Sequence, residues 1–273
     1  EFQRINMAFT QVRNSIGWPV SDHTDIAEWR AVIKRLAEFQ QHCLEPIPSG
    51  FTRGRAGQDA IIVKDVVLTT QNGAHITAHK HFAVQKGERW LIRGPSGAGK
   101  STFLRALAGL WLHGSGSIML PEARIFFVPQ ESYVPTGTLR AALCYPYDAS
   151  VYSTQHCQHA LRSANLADYA EKLEEEGEWE RVLSPGERQR FALARIFLFK
   201  PDYVFLDEST SALDETNEQQ LYERLQEHFP AMSIISVGHR SSLTQFHTHL
   251  LDMPKTIVAG ADVQPIQGGS VAP

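Results

Sequence analysis

An α/β fold, a mostly parallel sheet flanked by helices, is predicted by three features of the sequence. Ile125-Phe126-Phe127-Val128, Tyr203-Val204-Phe205-Leu206 and Ile234-Ile235-Ser236-Val237 are apolar runs without alternation, the pattern of strands buried on both faces of a parallel sheet. A mostly helical insert, about Thr138 to Arg195, fills the interval between the first two of these runs. A Gly-rich stretch, Gly94-Pro95-Ser96-Gly97-Ala98-Gly99-Lys100-Ser101-Thr102, follows the apolar run Trp90-Leu91-Ile92 and opens a helix to about Leu110. Polar residues end the last two apolar runs, and in open α/β sheets ligands bind beyond the carboxyl ends of the strands.

The Gly-rich stretch carries the chemistry. Between a strand and a helix, such a turn aims successive backbone N–H groups inward as a nest for phosphate oxygens. Gly94, Gly97 and Gly99 supply backbone freedom, Lys100 stands where its ammonium neutralises the outer phosphates, and Ser101 where its hydroxyl ligates Mg²⁺ between them. An ordinary β-turn needs neither the Lys nor the Ser, so the stretch reads as a nucleoside triphosphate site.

Composition excludes several alternatives. With 273 residues and 42% hydrophobic content the chain can bury a sizeable core in one or two domains. A net charge of −4 argues against a broad basic face for nucleic acid. Cys43, Cys144 and Cys157 form no CxxC pair, fitting free thiols in a reducing cytosol. No signal peptide is evident, and no apolar run reaches the ~18 residues that a bilayer span needs.

In chain order, residues 1–50 read as a helical extension: Phe2 to Val12 is a short helix broken near Gly17-Trp18-Pro19, and Asp25 to Phe39 is amphipathic, capped by Thr24 or Asp25 and ended by Glu45-Pro46. Either a small appendage or an interaction arm fits it. Residues 51–59 read as a flexible linker. Ile61-Ile62-Val63, Val66-Val67-Leu68 and His79 to Val84 are antiparallel strands around the turn Gln71-Asn72-Gly73. Thr138 to Arg195 is a mostly helical insert, and residues from 259 form a polar, flexible tail.

Three strand or helix ends hold further candidates. Asp207, after an apolar strand, is placed to hold Mg²⁺ through water, and Glu208 beside it to orient or deprotonate a water at the γ-phosphate. His239 ends the last strand, where an imidazole can hydrogen-bond that phosphate. In Leu183-Ser184-Pro185-Gly186-Glu187-Arg188-Gln189, Ser184 and Glu187 make a capping box with Pro185 at the first helical position, and Gly186 leaves backbone accessible at the positive end of a helix. The acidic run Glu171 to Glu178 reads as a solvated face. His156-Cys157-Gln158-His159 and His247-Thr248-His249 lack a second cluster at zinc spacing.

Taken together and in order, these segments resemble the nucleotide-binding domain of ATP-binding cassette (ABC) transporters, over about residues 60–258. Gly94 to Thr102 is similar to Walker A, Gln130 to the Q-loop, Leu183 to Gln189 to the LSGGQ element, Val204 to Glu208 to Walker B, Ser211-Ala212-Leu213-Asp214 to the D-loop, and His239 to the switch histidine. The resemblance implies an α/β phosphate-loop ATPase core with an antiparallel β subdomain and an inserted helical subdomain. It also implies ATP and Mg²⁺, with Ser101, Gln130 and Asp207 toward the metal, and Glu208, His239 and Lys100 as catalytic groups. Residues 94–102, Gln130, Ser184, Gly186 and Asp214 would face the nucleotide. The implied partner is a second copy, closing head to tail with ATP so that Ser184 and Gly186 of one copy meet the γ-phosphate held by Lys100 of the other.

Leu110 to Ile118 and Gly137 to Pro146 resemble the group containing peroxisomal fatty-acid transporters and bacterial YddA-like and BacA-like relatives. Ile26 to Val32 resembles the continuation of their last transmembrane helix. This implies a membrane domain fused upstream and a soluble segment working at the cytoplasmic face of the inner membrane. Two departures stand out: Pro185 replaces the first Gly of LSGGQ, removing one donor, and Val67-Leu68-Thr69-Thr70 lacks the adenine-stacking aromatic. The other reading is a soluble ABC ATPase acting as a nucleotide-gated clamp on a macromolecule.

Overall fold

The computed structural model describes residues 2–21, 23–44, 49–57, 59–254 and 263–265. It divides into two units, Glu1–Pro48 and Ser49–Pro273.

The first unit holds α1 (Phe2–Ser21) and α2 (His23–Leu44). The helix expected to break near Gly17-Trp18-Pro19 instead continues to Ser21, with Pro19 confined to its last turn. Thr24 and Asp25 fall inside the first turn of α2 rather than capping it, where the Asp25 carboxylate complements the positive helix end. Phe2, Phe9, Trp29, Leu36 and Phe39 are exposed. The expected stop at Glu45-Pro46 lies outside the described residues.

The second unit begins where a linker was expected, and that expectation is corrected. Phe51 is buried, β1 (Thr52–Arg55) forms, and Arg53 donates to the carbonyl of Ala106 at 2.6 Å. As an edge strand with mostly exposed side chains, β1 carries no hydrophobic signal for the sequence to show. β2 (Ala60–Thr69) is one strand rather than two runs. It bends at Asp65, whose φ is 47°, where its register against a later strand slips between Lys64 and Val67. β3 (His75–Gln85) returns antiparallel to it.

Next come β4 (Arg89–Arg93), α3 (Lys100–Ala108) and β5 (Gly114–Leu120). β5 had no strand signature in Gly114-Ser115-Gly116-Ser117. It pairs with β1 and β2, completing a sheet in the order β1-β5-β2-β3. The insert follows β6 (Ile125–Val128) and comprises β7 (Gly137–Thr138), α4 (Leu139–Cys144), α5 (Thr154–Ser163), β8 (Glu176–Gly177), α6 (Trp179–Val182) and α7 (Pro185–Phe199). The chain then forms β9 (Tyr203–Asp207), α8 (Glu215–His228), β10 (Ser233–Val237), β11 (His249–Asp252) and β12 (Val263–Pro265).

The second sheet runs β12-β11-β4-β10-β9-β6 and is parallel except for β12. β9 and β10 are buried throughout. β6 lies at the sheet edge, so Ile125, Phe126 and Phe127 are only half-buried and the two-sided burial predicted for it is not met. Alternation across β9 divides the core: Val204 and Leu206 face the cluster of α7 and α8, while Tyr203 and Phe205 face that of α3 and β2. Of the expected flexible tail, Val263–Pro265 pairs antiparallel with β11, and the remainder lies outside the described residues. The acidic run carries the exposed pair Arg162–Glu171 at 2.8 Å and the pair of exposed Glu174 with half-buried Arg140 at 2.6 Å.

Candidate functional site

Sheet register gathers the site. Val237 of β10 lies opposite both Ile92 of β4 and Asp207 of β9, and Val128 of β6 opposite Leu206. The carboxyl ends of four parallel strands are therefore level, and the residues that follow them, Gly94, Gln130, Glu208 and His239, emerge at one rim.

The phosphate loop joins β4 to α3 through glycines in conformations that L side chains rarely adopt. Gly94 has a φ of 145°, and a Cβ there would meet the Met253 carbonyl oxygen at 2.3 Å; at Gly99, φ 87°, a Cβ would meet Ile76 Cγ2 at 2.5 Å. Both must stay glycine. No side chain caps α3 at Gly99, so its first-turn N–H groups point into the loop without a side-chain acceptor, as anion binding needs. Pro95, Ser96, Gly97 and Ala98 form the turn, and Ser101 and Thr102 the first turn of α3. Lys100 is buried and donates from Nζ to the carbonyls of Gly94 at 2.9 Å and Pro95 at 3.0 Å. Burial lowers its ammonium pKa, opposed by the negative charges of Glu208 and Asp207.

Asp207 ends β9 completely buried, with Oδ2 accepting from Arg105 Nη2 at 3.3 Å and Oδ1 without a partner. Glu208 then turns out of the strand in the left-handed region, φ 48°, and its Oε1 lies 3.1 Å from His239 Nε2. Left-handed backbone at a non-glycine residue stores strain, and it aims the carboxylate along the rim instead of across the sheet. The orphaned buried oxygen of Asp207 is a hard donor with an uncompensated lone pair, the kind of group that fits a Mg²⁺ ion or its water.

Of the remaining candidates, Gln130 stays at the rim and the others lie on α7 and α8. Gln130 lines a cavity of about 330 Å³ with Glu180, Arg188 and Gln189. Ser184 caps α7, its hydroxyl donating to Glu187 Oε2 at 2.7 Å and accepting from Glu187 N at 3.3 Å, while Glu187 Oε2 also accepts from Ser184 N at 2.9 Å. Those bonds hold the Glu187 carboxyl below its ordinary pKa. Gly186 has room for a side chain: an added Cβ would come no nearer than 3.4 Å, to the Ala212 carbonyl. Among the described residues, no hydrogen bond joins Ser184 or Gly186 to residues 94–102. Asp214 caps α8, Oδ1 accepting from Asn217 N at 2.8 Å and Oδ2 from Asn217 Nδ2, and these bonds lower its pKa.

Two contacts were missed by sequence reasoning. Gln189 clamps the turn after β9, receiving from Ala212 N at 2.8 Å and donating to Ser211 Oγ at 3.2 Å; its place at the end of the LSGGQ-like element was the available signal. Arg105 had none, because its partner lies 102 positions away. The His and Cys stretches have structural roles. His247 is buried against Leu243 O at 2.7 Å and Ser236 Oγ at 3.1 Å, and Cys157 Sγ sits 3.9 Å from Cys144 Sγ.

A loop, a buried strand-end acid and a rim carboxylate on parallel strand ends define a phosphate-loop nucleotide-binding ATPase. Residues 78–211 match the ABC transporter family. The chain is 39% identical over 264 residues to an uncharacterized ABC transporter ATP-binding protein of Synechocystis, covering 91% of this chain and 40% of that protein. Over 246 residues it is 32% identical to the Escherichia coli inner membrane ABC transporter ATP-binding protein YddA, covering 90% and 43%. Over 222 residues it is 38% identical to the human lysosomal cobalamin transporter ABCD4, covering 76% and 36%. A bacterial Atm1-family ABC exporter with ATP bound superposes with a TM-score of 0.71 at 26% identity, over 84% of this chain and 44% of that one. The chain belongs to the ABC transporter family as one of its ATP-binding ATPase domains, and spans less than half the length of the curated relatives it matches. Among the described residues, no helix is long and apolar enough to cross a membrane.

Proposed function

We propose that two copies of this domain close head to tail around ATP, hydrolyse it, and power transport by a membrane domain joined to it. The observation that carries the reading is the division of the site. One chain gathers Lys100, Asp207, Glu208 and His239 at the strand rim, whereas the capped start of α7, with Ser184 and Gly186, makes no hydrogen bond to the loop. Gly186 supports it further: packing within the chain leaves room for a Cβ there, and a residue without one keeps the backbone open to an approaching phosphate.

In the closed pair, Glu208 orients and deprotonates the attacking water, and its 3.1 Å contact holds His239 at the same rim. Lys100 leaves its two loop carbonyls for the triphosphate, while Ser184 and Gly186 of the second copy donate to the γ-phosphoryl oxygens. Asp214 lies in the turn carried by Gln189, beside that interface. Ser101 and Asp207 would hold Mg²⁺, with Gln130 on the same rim, and the ion when bound neutralises charge on the phosphates. Exposed Trp29, Leu36 and Phe39 support packing of the helical unit on membrane-domain segments at the cytoplasmic face of the inner membrane.

The test is hydrodynamic. A Glu208→Gln variant saturated with Mg-ATP is expected to dimerise in light scattering while turnover falls by about 10²–10⁴-fold. A variant that stays monomeric at high concentration, or that keeps wild-type turnover, sinks the reading.

A further inference from the structure

Arg105 reaches the site from α3 and donates from Nη2 to Asp207 Oδ2 at 3.3 Å. The two side chains of this pair differ in surroundings: that of Arg105 is 44% exposed and that of Asp207 is 0% exposed. The second carboxylate oxygen, Oδ1, is buried and unpartnered. Lys100 is the other cation near this carboxylate, and its ammonium is engaged by the Gly94 and Pro95 carbonyls. Glu208, the adjacent acid, is turned toward His239. The cation paired with Asp207 is therefore a guanidinium on a long, half-exposed arm.

An ionised carboxylate withdrawn from water needs a counter-charge, and leaving one unpaired is among the costlier defects a fold can carry. We propose that Arg105 is the resident counter-ion of the metal site: it compensates Asp207 when no metal–nucleotide is bound and yields to the divalent cation when one arrives. This rests on the Mg-nucleotide reading above. Two cations drawn to one carboxylate repel each other, so Arg105 makes metal binding weaker than Asp207 and Ser101 alone would set it. It also stabilises the empty site, which favours release of product with its metal. Arg105 touches no reacting atom; it acts through Asp207.

The experiment compares wild type with Arg105→Gln and Arg105→Lys in the whole chain. Melting is followed without ligand and with Mn²⁺ plus a non-hydrolysable ATP analogue, and Mn²⁺ uptake is titrated by electron paramagnetic resonance at saturating analogue. Arg105→Gln is expected to melt about 5 °C lower when empty but close to wild type when loaded. Its Mn²⁺ half-saturation should tighten by about tenfold, with Arg105→Lys near wild type in both. An equal loss of melting temperature in both states, weaker Mn²⁺ uptake in Arg105→Gln, or an equal affinity shift in Arg105→Lys overturns the proposal. If Arg105→Gln does not fold, Arg105→Lys decides: a shifted Mn²⁺ half-saturation overturns it, and an unshifted one with wild-type melting upholds it. Wild type that takes up no Mn²⁺ with the analogue overturns the nucleotide reading itself, a distinguishable result.

Discussion

Two helix starts in this molecule face the same problem, four backbone N–H groups without intrahelical partners, and solve it oppositely. At α3, Gly99 supplies no side-chain acceptor, and Lys100 is held back on the carbonyls of its own loop. At α7, Ser184 and Glu187 satisfy each other through the reciprocal capping bonds. The first start is incomplete alone and is completed by an anion. The second is complete as a helix and becomes a site only when something else approaches Gly186. In the proposed pair this separates binding from coupling: one chain would hold a nucleotide at α3, and the α7 start would answer to its arrival on another copy.

The largest test breaks the α3 side. Gly94→Ala puts a methyl 2.3 Å from the Met253 carbonyl at a φ of 145°. It should cost about 3 kcal/mol or more of stability by thermal melting and abolish nucleotide binding. A variant that binds normally would show that the loop is not held as described.

Acid attacks both sides, through one buried histidine on each: His79 beside α3 and His247 among the residues packed on α8. Burial pushes His79, whose ring lies 4.1 Å from that of Phe103 of α3 at an angle of 33°, and His247 down to about 4. A histidine whose folded pKa lies below its unfolded ~6.5 contributes stability that is present above that value and lost as pH falls from ~6.5 toward 4. Unfolding titrations should lose about 1–3 kcal/mol per histidine over that window, and His79→Phe should remove part of the slope. Lys100→Ala should weaken nucleotide binding by about 30–100-fold with little change in melting temperature, measured by calorimetry.

Smaller effects sharpen the α7 side. Ser184→Ala removes the cap and should cost about 1 kcal/mol by chemical denaturation. Gly186→Ala should leave stability unchanged or raise it by about 0.5 kcal/mol, because the added Cβ finds ordinary contact at 3.4 Å, yet should lower turnover of the dimer. Unchanged turnover would return Gly186 to a local helical role.

What could be read from the chain in advance follows a simple division. The loop residues 94–102, the strand runs before Asp207 and Gly238, and the capping box at Ser184 are local patterns, each complete within a few residues. The edge strand Thr52–Arg55 escaped because half-exposed edges carry little apolar pattern, and Gly114–Leu120 because its glycines serve close backbone approach, with Gly116 against Asp65. Arg105 and Gln189 escaped as site residues because their bonds span 102 and 22 or 23 positions.

The sequence by itself determined the kinds of groups: a phosphate nest, a Lys, two adjacent acids and a pre-capped helix, because short-range sterics and hydrogen bonding dictate each. Tertiary structure alone decided which of them share a rim, which carboxylate oxygen stays unpaired, and that the α7 start makes no hydrogen bond to the phosphate loop. Those outcomes depend on strand order and register, which bring distant residues together through contacts that no local pattern encodes.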